Sequence, residues 1–301
     1  MQGQPALSVS RDFDAMSDAI DSVNAIRGRL LQEEIAAGKL VADQRNQFRD
    51  YDAAHDRVKE FYKVQHEKQT VEFNIKARVN FKNRKRVRMG VWEAIEKLNM
   101  LVDDSDPDTN MSQLDHLLQT AEAIRKDGKP RWMQVTGLVH DLGKLLLVFG
   151  SEGQWDVVGD TFVVGCEFSD KIIFYETFKG NPDSYDPIYS TKHGIYKPHC
   201  GLENVLLSWG HDEYLYNVLK DQSYLPAEAL AIIRYHSFYP WHREGAYSHL
   251  TNESDTQILE AVKAFNPYDL YSKSDQVYDS KGLQPYYQRL IAEFFPPVLE
   301  W

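Results

Sequence analysis

The motif His140-Asp141-Leu142-Gly143-Lys144 places three chemically useful side chains inside an apolar, helix-like stretch. An unpaired carboxylate buried in such a stretch is costly, and a bound metal ion would remove that cost. Histidine offers a neutral nitrogen ligand, and the two oxygens of Asp141 can bind one ion or bridge two. Lys144 projects from the same helical face, where we expect it to contact an anionic oxygen of a substrate or to transfer a proton.

Further residues of ligand type lie in apolar or aromatic surroundings elsewhere in the chain. They are His116, His211, His236 and Asp269. One such histidine alone is more often a hydrogen-bonded core residue than a ligand. Together with the motif, however, they make four histidines and two aspartates, which are too many buried titratable groups for structural roles alone. The sequence therefore predicts a metal centre.

The other six of the ten histidines lack this apolar framing. Charged or polar residues surround four of them, which we predict to be exposed: His55, His66, His242 and His249. His193 and His199 lie in an aromatic and proline-rich stretch. We leave both outside the predicted ligand set.

Two turns could bring polar groups to a pocket. Residues 103–108 read Asp-Asp-Ser-Asp-Pro-Asp, a turn by chemistry because Asp and Ser side chains accept backbone hydrogen bonds and proline disfavours helix at the preceding residue. This segment is either the cap of the next helix or a carboxylate loop beside a polyol or cation. Gly159-Asp160 separates two short β-favouring runs within 155–165, which predicts a β-hairpin.

Helical periodicity accounts for most of the remaining chain. It predicts one long or two consecutive helices over 53–80 and further helices at 91–102, 112–126, 132–149, 200–220, 226–239, 255–265 and 285–295. We predict that residues 168–198 form an ordered segment on one face of the domain and that residues 1–45 form a flexible N-terminal arm. The pattern predicts one mainly α domain over 46–301 with a small β-hairpin.

The composition excludes several classes of protein. A net charge of −11 over 301 residues argues against a protein that coats nucleic acid, and we expect the basic run 82–88 to be a solvated face. Two cysteines, Cys166 and Cys200, fit a reducing compartment. The first residues lack the features of a secretory signal, and no apolar run approaches the roughly 20 residues of a membrane span. We expect a cytoplasmic enzyme.

These motifs resemble those of a known family. The order His116, His140-Asp141, Asp269 is similar to the H…HD…D pattern of the HD-domain superfamily, a helical metal-dependent fold used mainly by phosphohydrolases. Longer segments are more specific and point to one family within this superfamily. They are the acidic turn, the His-Asp-Leu-Gly-Lys motif, Val-Val-Gly-Asp-Thr-Phe from 157, Ser-Trp-Gly-His-Asp-Glu-Tyr from 208, His-Ser-Phe-Tyr-Pro-Trp-His from 236 and Phe-Asn-Pro-Tyr-Asp-Leu-Tyr from 265. From about residue 48 to its end, the chain resembles the myo-inositol oxygenase family of non-haem di-iron enzymes.

That resemblance implies two iron ions in each chain. His116, His140 and Asp269 would hold one iron, His211 and His236 would hold the other, and Asp141 would bridge them. With a bridging hydroxide the second iron keeps two open positions, where a polyol could chelate through adjacent hydroxyls. The choice of iron rests on the resemblance, because the ligand types would also suit manganese or zinc.

The resemblance also implies a set of substrate contacts. The residues concerned are Arg49, Asp103, Asp104, Ser105, Lys144, Gly159, Asp160, His236, Ser237 and Lys273. Asp104 stands where we expect glutamate, which keeps the carboxylate. A ring that carries six hydroxyls has no apolar side chain to bind, so specificity must come from many fixed donors and acceptors.

The implied reaction is the ring cleavage of myo-inositol by O2. A mixed-valent Fe(II)/Fe(III) pair would activate the oxygen, Lys144 and Asp141 would be the catalytic residues, and four-electron oxidation would yield D-glucuronate. The enzyme would act as a monomer, without nucleic-acid or membrane partners. One alternative is an HD-type metal-dependent phosphohydrolase. Another is a non-enzymatic protein, either a metal-stapled scaffold or a module that binds anionic partners through residues 82–88.

Overall fold

The computed structural model describes residues 56–84, 86–100, 112–271 and 278–301. Several predictions lie outside these residues: the arm over 1–45 and its boundary, the acidic turn at 103–108, and the side chains of Arg49, His55 and Lys273. They stay predictions.

The chain is mainly helical, as predicted. In chain order its elements are α1 (Asp56–Lys68), α2 (Val71–Asn83), β1 (Arg88–Met89), α3 (Val91–Leu98), α4 (Gln113–Lys126), α5 (Arg131–Val139), α6 (His211–Leu219), α7 (Ala227–Tyr235), α8 (Tyr239–His242), α9 (Glu253–Tyr271), α10 (Ser280–Phe294) and β2 (Leu299–Glu300). Short 3₁₀ helices lie at Leu142–Val148, Gln154–Asp156, Tyr175–Gly180, Pro182–Tyr185 and Leu202–Asn204.

Side-chain caps explain where two of these helices begin. The hydroxyl of Thr70 accepts a hydrogen bond from the Phe73 N–H at 3.1 Å, which separates α1 from α2. Ser112 accepts from the Asp115 N–H at 3.1 Å at the start of α4. Each cap satisfies one of the unpaired N–H groups of the first helical turn. The second cap fixes the helical position of His116, which follows within that turn.

The helices that carry the histidine motif pack through a continuous apolar core. Leu117, Leu118 and Ala121 of α4 and Val135 and Leu138 of α5 belong to one cluster, and each of them is 0% exposed. Burying a leucine or valine side chain contributes about 1.5–3 kcal/mol. The cluster therefore holds α4 and α5 rigidly together beside the motif.

The helix predicted over 132–149 is wrong in its second half. α5 ends at Val139, and residues 142–148 form a 3₁₀ helix. The break lies at Asp141, whose backbone adopts φ −93° and ψ 0°, outside the α region. Apolar periodicity could not predict this break because the residues on both sides of it are buried.

The small β-structure is antiparallel, but it pairs a strand that follows α2 with a strand at the C-terminal end of the chain. β1 pairs with β2, with Arg88 opposite Glu300 and Met89 opposite Leu299. The C-terminal Trp301 is 1% exposed, and its indole N–H donates to the carbonyl of Met89 at 3.1 Å. The C-terminus is therefore anchored beside the start of α3.

The hairpin predicted at Gly159-Asp160 is wrong. The second β-favouring run pairs instead with residues 206–208. The N–H of Val164 donates to Leu206 O at 2.9 Å, and the N–H of Ser208 donates to Phe162 O at 2.7 Å. A partner more than 40 residues away satisfies these backbone groups, so a local turn pattern could not reveal the pairing.

Several helix limits also differ from prediction. Within 200–220 only α6 and a short 3₁₀ turn are helical, because residues 205–208 are extended against the 162–164 segment. The helix predicted over 226–239 ends at Tyr235. α9 continues six residues past the predicted end, with Pro267 inside it. α10 begins five residues early because Asp279 caps it, accepting from the Gly282 N–H at 3.0 Å.

The described residues of the basic run lie mostly at the surface. Lys82 and Arg88 are exposed, as predicted, whereas Arg86 stacks on the ring of Phe81 at 3.7 Å. No helix within the described ranges is long and apolar enough to cross a membrane.

The surface prediction for His66 is wrong, because the side chain is fully buried. Its ring stacks on Phe178 with centroids 4.0 Å apart, and its Nδ1 lies 2.7 Å from the hydroxyl of Thr177. The segment 175–180 covers this face of α1, a long-range contact that the charged neighbours in sequence conceal. Burial lowers the pKa of His66 to about 3.

We expect His66 to make the folded protein acid-sensitive. The unfolded chain takes up a proton near the ordinary pKa of 6.5, whereas the folded chain resists protonation to about pH 3. The contribution of neutral, buried His66 to the free energy of unfolding is therefore complete above pH 6.5. It falls as the pH drops toward 3, by up to about 1.4 kcal/mol per pH unit. His66→Gln should flatten the pH dependence of the unfolding free energy, measured by urea denaturation. Thr177→Val keeps the imidazole and should lower stability without flattening that slope; an unchanged slope in His66→Gln would contradict the assignment.

Candidate metal centre

The break after α5 sets the direction of three functional side chains. His140 ends the helix, Asp141 follows with its non-helical backbone, and Lys144 lies one 3₁₀ turn further on. The ammonium group of Lys144 lies 2.9 Å from Oδ2 of Asp141. The side chains are buried: His140 is 0% exposed, Asp141 3% and Lys144 9%. The structure thus buries a contacting carboxylate and ammonium beside a histidine, although the three residues do not share one α-helical face as the spacing predicted.

One oxygen of Asp141 faces two histidines and a second carboxylate. His116 on α4 and His140 each place Nε2 3.6 Å from Oδ2 of Asp141. Oδ1 of Asp269, on α9, lies 3.2 Å from Nε2 of His116 and 3.4 Å from Nε2 of His140. Tyr239 donates a hydrogen bond to the other oxygen of Asp269 at 3.4 Å. This contact helps to orient Oδ1 toward the two histidines.

The other oxygen of Asp141 faces a second pair of histidines. Nε2 of His211 lies 3.5 Å from Oδ1 of Asp141, and Nε2 of His236 lies 3.6 Å from the same oxygen. His211 is the first residue of α6, and His236 ends α7. Five of the six residues that the sequence predicted as ligands therefore surround the carboxylate of the sixth, Asp141, and its two oxygens each face one pair of histidines.

Buried polar contacts hold α6 and α7 in this arrangement. Arg234 of α7 donates to Glu213 of α6 at 2.8 Å, and Arg78 of α2 lies 3.4 Å from the same carboxylate. Gln69 donates to the carbonyl of Trp209, two residues before His211, at 2.7 Å. These contacts fix the start of α6 relative to α2 and α7.

Backbone contacts set the tautomer of three of the four histidines. Their Nδ1 atoms lie close to carbonyl oxygens: His140 to Gly137 at 2.9 Å, His211 to Val157 at 2.9 Å and His236 to Ile232 at 3.2 Å. A proton on Nδ1 that is donated to a carbonyl leaves Nε2 with a free lone pair, the form that binds a metal. The buried Nε2 of His140 has no hydrogen-bond partner. The donor set is therefore prepared for a cation.

The spacing of the donor atoms also fits metal coordination. Ligands about 2.1 Å from one ion and at right angles to each other lie about 3 Å apart. The measured separations from the two carboxylates to the Nε2 atoms run from 3.2 to 3.6 Å. Small movements toward an ion would close that difference. Histidine and carboxylate without thiolate suit iron, manganese or zinc.

The two buried carboxylates of the cluster carry negative charge, which favours a bound cation. Burial opposes ionisation of Asp141, yet the charges of Lys144 and His140 hold its pKa well below the ordinary range. Burial likewise opposes ionisation of Asp269, but its close contacts with His116 and His140 hold its pKa well below the ordinary range. Both carboxylates are therefore ionised at neutral pH, as metal ligands must be.

Asp212 also belongs to this cluster, although the sequence prediction omitted it. It is 1% exposed, and its Oδ1 lies 2.9 Å from Nε2 of His211. Burial would lower the pKa of His211, but the neighbouring charge of Asp212 raises it to about 9. The pattern that pointed to Asp141, a carboxylate next to a histidine among apolar residues, occurs here too and could have found it.

The turn predicted to touch substrate is held from one side by α1. Gly159 has φ +92°, a left-handed conformation that favours glycine, and a Cβ here would lie 2.7 Å from the ring of Phe61. Tyr62 donates to the carboxylate of Asp160 at 2.9 Å, and Gln65 donates to Val158 O at 3.0 Å. The turn is therefore rigid.

The same turn lies beside the second pair of histidines. The N–H of Thr161 donates to Ser237 O at 2.9 Å, and the hydroxyl of Ser237 lies 3.2 Å from Nε2 of His211. The structure thus brings Asp160 and Ser237 to the His236 side of the centre. The remaining predicted substrate residues, Arg49, Asp103, Asp104, Ser105 and Lys273, lie outside the described residues.

The surface prediction for His242 is wrong. The side chain is 4% exposed, and its Nε2 lies 2.9 Å from the carbonyl of His236. Burial lowers its pKa to about 4. α8 folds back against the end of α7, which local sequence polarity does not indicate, and His242 thereby supports the backbone at a predicted ligand.

Comparisons of the sequence with known proteins all find the same kind of protein. A family model described as Myo-inositol oxygenase matches residues 55–301. A protein of Oryza sativa subsp. japonica named "Probable inositol oxygenase" is 51% identical over 263 residues, which are 85% of this chain and 85% of that protein. "Inositol oxygenase" of Dictyostelium discoideum is 48% identical over 274 residues, 89% and 94% of the two chains. "Inositol oxygenase" of Rattus norvegicus is 47% identical over 266 residues, 87% and 93% of the two chains.

Gly143 allows the motif to approach α6. A Cβ at this position would lie 2.0 Å from the carbonyl oxygen of His211. That atom belongs to the backbone, so it cannot move aside without displacing the start of α6. Glycine at this position therefore sets the separation between Asp141 and His211.

We expect Gly143→Ala to separate the two halves of the centre. The added methyl should push His211 away from Asp141, lowering Fe(II) affinity at least tenfold in anaerobic titration calorimetry. The matched control is Gly128→Ala, whose Cβ would meet nothing within 4 Å but whose φ of +66° also disfavours alanine. The control should lose about 1 kcal/mol of stability and keep its iron affinity. Equal iron affinity in Gly143→Ala and the control would contradict this role.

Proposed function

Because the chain belongs to the myo-inositol oxygenase family, we propose that it oxidises myo-inositol with O2 to D-glucuronate. The reaction cleaves the C1–C6 bond and removes four electrons, so one O2 is reduced while one glucuronate and one water are formed. The observation that carries the proposal, beside the family match, is the Asp141 carboxylate between two separate histidine pairs.

Two iron ions would occupy the centre. His116, His140 and Asp269 would hold one, His211 and His236 the other, and Asp141 would bridge them. As an Fe(II)/Fe(III) pair, the ions would supply Lewis acidity toward the substrate hydroxyls and a redox centre through which the four electrons of the substrate reach O2. The unpartnered Nε2 of His140 and the two ionised carboxylates described above support this assignment.

Lys144 would act on the substrate and not on the metal. Its ammonium carries no lone pair for an ion, and it lies 2.9 Å from Oδ2 of Asp141. From there it can stabilise a deprotonated hydroxyl oxygen of the polyol by charge and hydrogen bonding. The side chain is 9% exposed, so little water screens this charge.

The polar groups around the second histidine pair would recognise the ring. Asp160 and Ser237 offer a carboxylate and a hydroxyl, and Gly159 lets the turn that carries Asp160 pack closely against Phe61 of α1. We also retain Arg49, Asp103, Asp104, Ser105, His236 and Lys273 as proposed substrate contacts. A polyol that lacks one hydroxyl would leave a buried partner unpaired, at a cost of about 1–3 kcal/mol.

We infer further that the enzyme works in the cytoplasm as a monomer. Cys166 and Cys200 are both unpaired, which suits a reducing compartment. All six proposed ligands come from one chain, so the centre needs no second subunit. We also propose that residues 46–301 form the catalytic domain and residues 1–45 a flexible arm.

Substituting the two proposed catalytic residues separates metal binding from chemistry. Asp141→Ala should lose both bound iron and turnover, because the bridging carboxylate is removed. Lys144→Ala should keep its iron and lose activity by about 100-fold or more. Iron content measured by mass spectrometry, together with O2 uptake and glucuronate formation from myo-inositol, checks both expectations.

The matched control is the exposed Lys171, whose change to Ala should alter neither iron content nor turnover. Normal turnover in Lys144→Ala would remove the role given to this lysine. Phosphate release from a phosphate-ester panel without inositol-dependent O2 uptake would instead support the HD-type phosphohydrolase. Iron-independent folding without any turnover would support a non-enzymatic protein.

A further inference from the structure

Asp212 is a buried carboxylate that follows His211 and stands outside the proposed ligand set. Oδ2 of Asp212 accepts hydrogen bonds from the Ser237 N–H at 3.1 Å and from the Thr161 hydroxyl at 3.2 Å. Oδ1 lies 3.3 Å from Nδ1 of His236 and accepts from the Ser237 hydroxyl at 3.3 Å. Several donors from two other segments therefore converge on this one side chain.

These contacts join three parts of the centre. Thr161 follows the turn of Asp160, Ser237 follows His236, and Asp212 itself lies in the first turn of α6. A carboxylate that is 1% exposed is costly to bury unless donors surround it. The folded chain provides those donors, so removing the carboxylate would leave several of them unpaired at once.

The contact with His236 bears directly on metal binding. Nδ1 of His236 lies 3.2 Å from each of the carbonyls of Ile232 and Ile233 and 3.3 Å from Oδ1 of Asp212. Of these three acceptors only Asp212 carries a charge. A carboxylate that accepts from the N–H of a ligand histidine fixes its tautomer and makes the opposite nitrogen a better ligand. That opposite nitrogen, Nε2, faces Oδ1 of Asp141 at 3.6 Å.

The same carboxylate oxygen also lies 2.9 Å from Nε2 of His211. That nitrogen is the one that would face the ion, so Asp212 can support a ligand ring through its opposite nitrogen only at His236. The histidines of the first pair are oriented by other groups: His140 contacts the carbonyl of Gly137, and Asp269 lies 3.2 Å from His116. The influence of Asp212 is therefore confined to one half of the centre.

We propose that Asp212 is a positioning residue that selectively strengthens binding of the ion held by His211 and His236. This inference rests on the two-ion centre of the proposed function. It predicts that the two ions respond differently to one substitution. The ion held by His116, His140 and Asp269 keeps its affinity, while the second ion loses affinity.

The test is anaerobic Fe(II) titration of the full chain, with calorimetry for affinity and mass spectrometry for stoichiometry. The wild-type protein should bind two ions. Asp212→Ala should bind one ion with wild-type affinity and the second about 10–100-fold more weakly. Asp212→Asn keeps one acceptor oxygen toward the His236 ring and should fall between the two.

Asp183 supplies a control because it is also a buried aspartate, 9% exposed, whose carboxylate accepts a hydrogen bond from the Val71 N–H at 2.7 Å, away from α6 and α7. Asp183→Ala should lower the melting temperature without changing the ratio of the two iron affinities. Equal loss of both ions in Asp212→Ala and Asp183→Ala would reduce Asp212 to a structural residue and overturn the inference.

Three other outcomes are decisive. Two ions bound with wild-type affinity in Asp212→Ala would overturn the inference and leave the proposed function intact. Loss of the second ion as complete in Asp212→Asn as in Asp212→Ala would identify a direct ligand and overturn the positioning role. A wild-type protein that binds fewer than two ions would overturn both the two-ion centre and this inference.

Discussion

The burial of Asp141 is the constraint on which the rest of the site depends. A carboxylate in the protein interior must find positive charge or donors for both of its oxygens. Lys144 serves one oxygen directly, at 2.9 Å, and two pairs of histidines surround both. The α-helix has to end at this residue for these partners to reach both oxygens, because a continued α-helix would hold the side chain in the apolar core. The non-helical backbone of Asp141 and the closeness of Gly143 to α6 both serve to bring partners to the two oxygens of this carboxylate.

Residue types and their apolar surroundings are enough to predict which six residues come together in the interior. A histidine or aspartate framed by leucine, isoleucine or aromatic residues is expensive unless it binds something, and this cost is visible in the sequence around His140 and Asp269. The six residues do converge in the structure. The same logic missed Asp212, which adjoins a histidine in a similar setting, because each candidate was weighed as a ligand and not as a support for one.

Two of the failures, the predicted hairpin and the predicted exposure of His66, share a physical cause, which is that the partner lies far away in sequence. The Gly159 turn looked like a hairpin, yet its backbone pairs with residues 206–208. Polar neighbours made His66 and His242 look exposed, whereas the 175–180 segment and the fold-back of α8 bury them. Local periodicity and polarity give helices and apolar faces, but they cannot identify which distant segment covers a face.

The central claim is that one carboxylate separates two metal ions, and anomalous diffraction from crystals of the iron-loaded protein tests it most directly. Data collected above and below the iron absorption edge should show two iron peaks on opposite sides of Asp141. One peak should lie beside Nε2 of His116 and His140, and the other beside Nε2 of His211 and His236. A single peak, or two peaks of which neither contacts Asp141, would contradict the account.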